Sequence, residues 1–297
     1  LPARSELIVD ALLGTGLDRE VEGMFLDAIE QANERSCARL AVDVPSGLQA
    51  DTGRIMGAAF LADLTVTFIG RKLGLYTADG PDCAGRVLFD DLNTPSAIHA
   101  DYARSASPEE KSGWLLERKD LDRALPRRPR NSHKGSFGHV LVVGGNAGMS
   151  GAARLAGEAA LRSGAGLVTV ELPLVLDADG LNLLRDSTLE PDVGPEPASG
   201  SGDGNWRGDW ILTPHPAEAA RLLDTDTASV QADRLDAARR LARRYFAVVA
   251  LKGCGTVLAH PSGAWALSPL GNPGMATGGT GDVLTGVIAG LLAQDFT

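Results

Sequence analysis

The chain has 297 residues, a length that accommodates one large domain or two ordinary ones. Hydrophobic residues make up 44% and charged residues 22%, which excludes wholesale disorder and predicts a folded protein. The net charge of −10 repels phosphate backbones, so nucleic acid is excluded as a general partner. No apolar run approaches the roughly 20 residues needed to span a bilayer.

The cysteines and the first residues predict the compartment. Three scattered cysteines form neither a disulfide framework nor a metal-spaced cluster, and they suit a reducing cytoplasm. The first residues do not resemble a signal peptide. We therefore expect a cytoplasmic protein that acts on small molecules, without membrane or nucleic-acid partners. The sequence leaves the oligomeric state open, a homo-oligomer included.

Short apolar runs rich in β-branched residues recur along the chain, with helical patterns between many of them. The runs are residues 7–9, 40–42, 64–68, 140–143, 167–170, 174–176, 210–212 and 248–251. Several are continuously apolar, which is typical of parallel strands buried on both faces. Over residues 229–245 the apolar residues repeat at helical spacing and predict one helix. The alternation predicts an α/β fold with a parallel sheet and crossover helices.

Polar residues directly follow five of these runs. They are Asp10, Asp43, Asp177 with Asp179, His215 and Lys252. In open α/β sheets the ligand crevice lies beyond the carboxyl ends of the strands, so five such residues together favour a functional site. For any single aspartate, capping of the next helix is the better interpretation.

Two breaks divide the chain. Residues 94–117 carry little pattern, and we place a domain boundary near residue 105, which gives domains of 1–105 and 106–297. Residues 190–204 are rich in Pro, Gly, Ser and acidic residues, which predicts a flexible loop.

The segment most suggestive of chemistry is residues 272–282 (NPGMATGGTGD), which precedes an apolar helical run. A glycine-rich turn that opens a helix presents unpaired N–H groups at the positive end of the helix dipole, and this arrangement binds phosphate. Asp282 could then act as a base on a hydroxyl beside the phosphate. The alternative is an aspartate that only caps its helix, with glycines that serve a tight turn.

The motifs of the chain resemble a known family. Residues 277–282 (TGGTGD) resemble the anion-hole and catalytic-base motif of ribokinase-like enzymes. Four further segments resemble the ADP/ATP-dependent NAD(P)H-hydrate dehydratases: 132–140 (SHKGSFGHV), 176–182 (LDADGLN), 212–218 (LTPHPAE) and 251–257 (LKGCGTV). Residues 1–95 are similar to the NAD(P)H-hydrate epimerase domain that precedes the dehydratase in bacterial bifunctional repair enzymes. The matching segments there are 10–17 (DALLGTGL) and 43–53 (DVPSGLQADTG).

This resemblance implies a fold and an activity. The fold would be a partial Rossmann-like epimerase domain over residues 1–105, followed by a ribokinase-like dehydratase domain over 106–297. In this family, a phosphate is transferred from a nucleotide to the ring hydroxyl of hydrated NADH or NADPH. The phosphate is then eliminated, so that the ring has lost the elements of water. The epimerase interconverts the hydrate epimers. The implied cofactors are ADP or ATP, Mg²⁺ and K⁺, and the choice between the two nucleotides stays open.

The resemblance also assigns roles to residues. Asp282 would deprotonate the substrate hydroxyl, and Asp43 would be the proton acceptor of the epimerase part. The nucleotide would contact Lys252, Gly253, Cys254, Gly255, Thr256, Gly278, Gly279, Thr280 and Gly281. The hydrated cofactor would contact Ala152, His215 and Asp282 in one part, and Gly14, Thr15, Gly16, Leu17, Asp18, Arg19, Glu20 and Asp43 in the other. Asp10 and Ser46 would hold potassium through oxygen ligands.

Several of these residues also have a purely structural interpretation. Asp177 and Asp179 would orient a magnesium–phosphate water network, with helix capping as the alternative. Without the resemblance, Lys252 is typical of a solvated strand end, His215 of a structural histidine, and residues 45–47 of an ordinary turn.

The chain departs from the family pattern in three places. It lacks the early asparagine- and glycine-rich loop, it runs from Pro173 directly into Leu174 where the family has several dozen residues, and it ends at Thr297 soon after the helix that begins near Asp282. We expect a chain truncated at both ends and internally shortened, with an inactive epimerase half and an impaired dehydratase half. Two rival interpretations are a ribokinase-like kinase of a vitamin-precursor alcohol and a catalytically dead nucleotide-binding module.

Overall fold

The computed structural model describes residues 5–98, 113–125, 128–143, 150–171 and 211–294. Within them every predicted strand run is a strand, so the α/β class is confirmed. The run at 174–176, the loop at 190–204 and the boundary near 105 lie outside the described residues. No helix in the described part is both long and apolar enough to cross a bilayer.

The N-terminal block, residues 5–98, is built on a four-stranded parallel sheet. Its strands are β1 (Leu7–Asp10), β2 (Ala38–Val42), β3 (Leu64–Phe68) and β4 (Arg86–Asp90), side by side in chain order. Helix α1 (Met24–Asn33) connects β1 to β2, and the short helix α2 (Gly80–Ala84) precedes β4. Because parallel crossovers are right-handed and all step the same way, the connections cover one face.

The two faces of this sheet differ in burial. On the covered face, Ile29 and Phe60 lie in one buried cluster and Leu48 and Leu75 in another. On the opposite face the strand register places Leu7, Val9, Val42 and Leu88 together, and they are 36–53% exposed. The carboxyl ends of β1 and β2 carry Asp10 and Asp43, as the sequence predicts.

The next elements lead into the second part of the chain. Strand β5 (Trp114–Leu115) precedes helix α3 (Arg118–Ala124). Strands β6 (His139–Val143) and β7 (Leu167–Glu171) form a separate two-stranded parallel sheet, and helix α4 (Ser150–Ser163) lies between them in sequence.

A mixed five-stranded sheet completes the fold, in the order β5-β11-β10-β9-β8. Its further strands are β8 (Ile211–Leu212), β9 (Val248–Leu251), β10 (Thr256–Ala259) and β11 (Trp265–Ser268). The two predicted runs in this sheet, β8 and β9, pair parallel as expected, whereas β9, β10 and β11 pair antiparallel. The reason is connection length, because four- and five-residue loops can only turn the chain back, whereas a parallel crossover needs a dozen residues or more.

The predicted helix over 229–245 is two helices rather than one. Helix α5 (Pro216–Leu222) is followed by α6 (Thr227–Ala232) and α7 (Arg234–Tyr245). The break falls at Asp233, whose backbone (φ −146°, ψ 89°) is not helical and whose side chain accepts a hydrogen bond from Asp236 N at 2.8 Å. Asp233 therefore caps α7, and the apolar residues that repeat at helical spacing from Leu235 to Tyr245 all lie in that helix.

The last helix, α8 (Thr280–Leu292), packs on α4 through small residues. A Cβ added at Gly286 would lie 2.1 Å from Ala156 O, and one at Gly290 would lie 2.1 Å from Ser163 Oγ. Glycine at these two positions allows the backbones to approach closely. This contact fixes where the N-terminus of α8 lies.

Candidate functional site

The N-terminus of α8 has the geometry that the glycine-rich motif predicts. Gly279 is the N-cap residue with φ +89°, and the first intrahelical hydrogen bond runs from Val283 N to Gly279 O at 3.1 Å. Asp282 is the third residue of the helix rather than its N-cap, so N-capping does not account for it. Gly278 and Thr280 are exposed beside it. The N–H groups of this first turn have no partner within the helix and can bind an anion.

Lys252 lies next to this helix end. It follows β9, and its backbone N–H donates to Pro214 O at 2.9 Å. A Cβ added at Gly281 would lie 3.4 Å from Lys252 Nζ. The same Nζ is 4.0 Å from Glu218 Oε2. Two segments that the sequence assigned separately to the nucleotide are therefore neighbours in the fold.

His215 and Glu218 form a pair at the start of α5. His215 is the N-cap, and its Nδ1 accepts hydrogen bonds from Ala217 N (3.2 Å) and Glu218 N (3.3 Å). Glu218, only 6% exposed, accepts from His215 N at 2.7 Å, and its Oε1 is 3.3 Å from His215 Nε2. Nδ1 is thus an acceptor, which leaves Nε2 beside the carboxylate as the protonated nitrogen.

Sequence reasoning missed Glu218. Its signal is the His-Pro-Ala-Glu spacing, which matches a capping box with histidine in the place of Ser or Thr. The carboxylate faces both His215 and Lys252, so it fixes the imidazole and balances the ammonium charge.

Ala152 lies in the first turn of α4, one turn before Leu155. A Cβ added at Gly279 would be 3.0 Å from Leu155 Cδ1, so the start of α4 adjoins the start of α8. Asp177 and Asp179 lie outside the described residues. Among the described residues there is no group of three or more His, Cys, Asp or Glu side chains that could hold a metal ion.

In the N-terminal block, Asp10 and Ser46 form one buried unit. Asp10 is 3% exposed; its Oδ2 accepts from Ser46 N at 2.7 Å and its Oδ1 from Ser46 Oγ at 2.6 Å. Leu13 N donates to Ser46 Oγ at 2.8 Å, which ties the pair to the following loop. Among the described residues, the carboxylate of Asp10 accepts hydrogen bonds from Leu12 N, Ser46 N and Ser46 Oγ, all of which are neutral donors.

Asp43 forms an ion pair with Lys72, which sequence reasoning missed. Asp43 also accepts from Thr67 Oγ1 and Phe68 N, each at 3.1 Å, and its backbone has φ +69°. Burial raises the pKa of Asp43, but the hydrogen bonds and the charge of Lys72 outweigh burial and hold this pKa below its usual range. Asp43 is therefore ionised at neutral pH.

The loop assigned to the hydrated cofactor lines a cavity of about 280 Å³. Leu17, Arg19 and Glu20 line it, together with Leu13 and Phe25. Gly14, Thr15, Gly16 and Asp18 are exposed in the same loop, and Glu20 is held by Arg54 at 2.8 Å. The cavity and the Asp10–Ser46 pair share Leu13.

The fold and the site together define a two-part α/β enzyme whose second part carries a glycine-capped helix terminus beside Lys252. Comparisons with known proteins agree. Residues 2–74 match the family model described as the YjeF-related protein N-terminus, and residues 170–297 match the model of NAD(P)H-hydrate dehydratase. This order is the one predicted, an epimerase-type domain followed by a ribokinase-like dehydratase domain.

Curated relatives match almost the whole chain. A bifunctional NAD(P)H-hydrate repair enzyme from Coxiella burnetii is 39% identical over 98% of this chain and 67% of its own length. One from Escherichia coli is 37% identical over 100% and 64%. A solved ADP/ATP-dependent NAD(P)H-hydrate dehydratase from Bacillus subtilis, co-crystallised with ATP and Mg²⁺, is 30% identical over 61% of this chain and 82% of that chain, with a TM-score of 0.48. The chain belongs to the family of bifunctional NAD(P)H-hydrate repair enzymes.

The alignments also bear on internal length. The chain spans about two thirds of the length of these relatives. The Coxiella alignment extends over 351 positions and this chain has 297 residues, so at least 54 aligned positions have no residue of this chain. Gaps of this number agree with the expected internal shortening. The predicted junction at 173–174 itself lies outside the described residues.

Proposed function

We propose that the chain dehydrates hydrated NADH and NADPH in a nucleotide-dependent reaction, with an N-terminal block of the epimerase type. The observation that supports this most is the convergence of Lys252, the His215–Glu218 pair and the first turn of α8. These come from three separate segments, each of which resembles the dehydratases. A phosphoryl group and a hydroxylated ring need a cation, an anion-binding turn and a base within one site, and this arrangement supplies them.

The reaction follows from the chemistry of these groups. Asp282 accepts the proton of the ring hydroxyl as the hydroxyl oxygen attacks the terminal phosphorus of ADP or ATP. The N–H groups of residues 278–281 and the charge of Lys252 stabilise the phosphoryl group during transfer. AMP or ADP is the leaving group of that transfer. The phosphate then leaves with the carbon–oxygen bond electrons, and loss of a proton from the neighbouring ring carbon restores the double bond of the nicotinamide ring. Mg²⁺, when bound, neutralises phosphate charge, and Asp177 with Asp179 would orient its water shell.

His215 binds the substrate rather than the nucleotide in this proposal. Its Nε2 lies 3.3 Å from Glu218 Oε1, and the ring caps the start of α5 at the edge of the site. The backbone N–H groups of Ala217 and Glu218 keep His215 in the tautomer protonated at Nε2, and the Glu218 carboxylate lies close enough to Lys252 to orient its ammonium group. Ala152, at the start of α4, leaves room for the cofactor where a larger side chain would fill it.

The N-terminal block would bind the same hydrate on the loop of residues 14–20. Asp43, kept ionised by Lys72, has the protonation state that a proton acceptor requires. Asp10 and Ser46 would hold potassium. Its charge would lie close to the loop of residues 14–20, because Leu13, just before that loop, donates its N–H to Ser46 Oγ. We expect the dehydratase half to be slow, because the family has several dozen residues between Pro173 and Leu174 that contribute to its substrate site.

The test is incubation with hydrated NADH, Mg²⁺ and either ADP or ATP, following the recovery of NADH absorbance, with Asp282→Asn as control. Recovery that needs nucleotide and is lost in Asp282→Asn supports the proposal, and the faster nucleotide is the donor. Labelled phosphate retained on a stable alcohol would favour the rival kinase. Nucleotide binding without phosphate release, unaffected by Asp282→Asn, would favour a binding module. A version with the shortened segment restored tests the impairment, and equal rates would show that the gaps do not matter.

A further inference from the structure

The most buried large cation of the described residues is Arg234, and the proposed mechanism does not use it. It is the first residue of α7 and is 2% exposed. Its Nη2 donates to three backbone carbonyls, Leu251 O (3.2 Å), Lys252 O (3.2 Å) and Gly255 O (3.4 Å). Its Nη1 donates to Gln231 Oε1 at 2.5 Å. Burying a charged guanidinium among neutral acceptors costs free energy of folding, so we expect Arg234 to have a function.

The segment that Arg234 holds is the nucleotide loop, defined as residues 252–256. Gly253 has φ +149°, and a Cβ there would lie 2.6 Å from Arg234 Nη2. Gly255 has φ +64°, and a Cβ there would lie 2.1 Å from Tyr76 O. The nucleotide loop therefore contacts Arg234 closely on one side and the N-terminal block closely on the other.

The N-terminal block contributes a side chain to the same network. Arg234 Nε donates to Thr77 Oγ1 at 3.2 Å. Thr77 Oγ1 in turn lies 3.2 Å from Cys254 O, to which it can donate, and Ala78 N donates to Cys254 O at 3.3 Å. Thr77, itself 1% exposed, thus connects the guanidinium to the tip of the nucleotide loop across the interface.

We propose that Arg234 is a positioning residue for the nucleotide loop and that Thr77 completes it, so that the docked N-terminal block sets nucleotide affinity at the dehydratase site. The proposal rests on the assignment of residues 252–256 to the nucleotide. Lys252 leaves the loop towards Gly281 and Glu218, so a shift of the loop moves its ammonium group relative to the phosphate. The N-terminal block then matters to dehydration even when its own chemistry is absent.

The matched variants are Thr77→Val, Thr77→Ser and Thr65→Val in the full chain. Thr65→Val is the control, because Thr65 is equally buried and its Oγ1 donates at 2.7 Å to Ala84 O, a carbonyl outside the nucleotide loop. Arg234→Met removes all of these hydrogen bonds, but it replaces a buried side chain and can destabilise the whole fold. The test therefore uses the Thr77 variants. Thr77→Ser keeps the hydroxyl and is expected to behave like the parent chain.

Two measurements separate this inference from the proposed function. In nucleotide-free protein, amide hydrogen exchange at residues 252–256 is expected to quicken about tenfold in Thr77→Val, the factor for losing one hydrogen bond to a charged group. It should not change in Thr65→Val. In the second measurement, the Kd for ADP and its KM should rise by a similar factor in Thr77→Val, with little change in kcat.

Each outcome has a definite meaning. Equal effects of Thr77→Val and Thr65→Val, or none on either readout, overturn the positioning role. Faster exchange with an unchanged Kd for ADP overturns the coupling to nucleotide affinity. If even the parent chain does not bind ADP, the proposed function fails and the affinity claim with it, while exchange still reports whether Thr77 positions the loop.

Discussion

Replacing Gly286 by alanine tests how the close contact between α8 and α4 positions the site. A methyl group at Gly286 would lie 2.1 Å from Ala156 O and 2.8 Å from both Ala156 C and Ala159 Cβ. All three distances are below van der Waals contact and two of the three involve backbone atoms, so α8 must move away from α4. The first turn of α8, with residues 278–282, would move with it.

The magnitude follows from two opposing effects. Overpacking of a well-packed contact costs about 1–3 kcal/mol. Alanine gains up to about 1 kcal/mol over glycine in helix propensity. We therefore expect Gly286→Ala to lower the free energy of unfolding by about 1–2 kcal/mol. The matched control is Gly151→Ala in α4, where an added Cβ meets nothing within 4 Å and only the favourable effect applies.

The assay is thermal unfolding of both variants by circular dichroism, together with ADP binding. Gly286→Ala is expected to melt about 4–8 °C below Gly151→Ala, and to bind ADP more weakly than the parent chain. If both variants melt at or above the temperature of the parent chain, the packing argument is refuted. If Gly286→Ala destabilises but leaves ADP affinity unchanged, α8 does not carry the phosphate site.

Three further predictions concern single side chains. Lys72→Met should raise the pKa of Asp43, measured by carboxyl-carbon NMR. The variant should also lose about 1–2 kcal/mol of unfolding free energy at neutral pH. Because the ion pair stabilises only the carboxylate, this loss should shrink as pH falls through the lowered folded-state pKa of Asp43, and a loss that persists at pH 2 would contradict this. Phe246→Gly should raise the free energy of unfolding in urea by about 0.5–1 kcal/mol. Phe246 is 60% exposed and has φ +47° at the end of α7, a conformation that glycine adopts without strain. A destabilised variant would show that the ring contacts of Phe246 outweigh the strain. Cys83, buried and with its pKa raised to about 11 by burial and by nearby aspartates, should be the last cysteine that iodoacetamide labels in peptide mapping, and early labelling would refute its burial.

Local sequence patterns predicted what depends on neighbours along the chain. The apolar runs marked seven described strands, and the polar residues after β1, β2, β8 and β9 lie at strand ends as expected. The glycine-rich turn before Asp282 was recognised because its chemistry is contained in one segment. Strand β10 was missed although Val257, Leu258 and Ala259 form an apolar run as long as the one at residues 40–42.

What sequence reasoning missed depends on contacts between distant residues. Lys72 pairs with Asp43 from 29 positions away, and Arg234 reaches Thr77 across 157 positions. Neither contact leaves a spacing that a single sequence displays. Glu218 was missed for another reason, since its local spacing indicates only helix capping and its contact with Lys252 is visible only in the fold.

We propose that the residues around Lys252, His215 and the start of α8 dehydrate hydrated NADH and consume a nucleotide in doing so. The most direct measurement is the rate of NADH absorbance recovery by the full chain with Mg²⁺ and ADP or ATP, beside Asp282→Asn and beside the same mixture without nucleotide. We expect slow recovery that needs the nucleotide and disappears in Asp282→Asn. Recovery that is equal in all three mixtures, or absent from all of them, would contradict it.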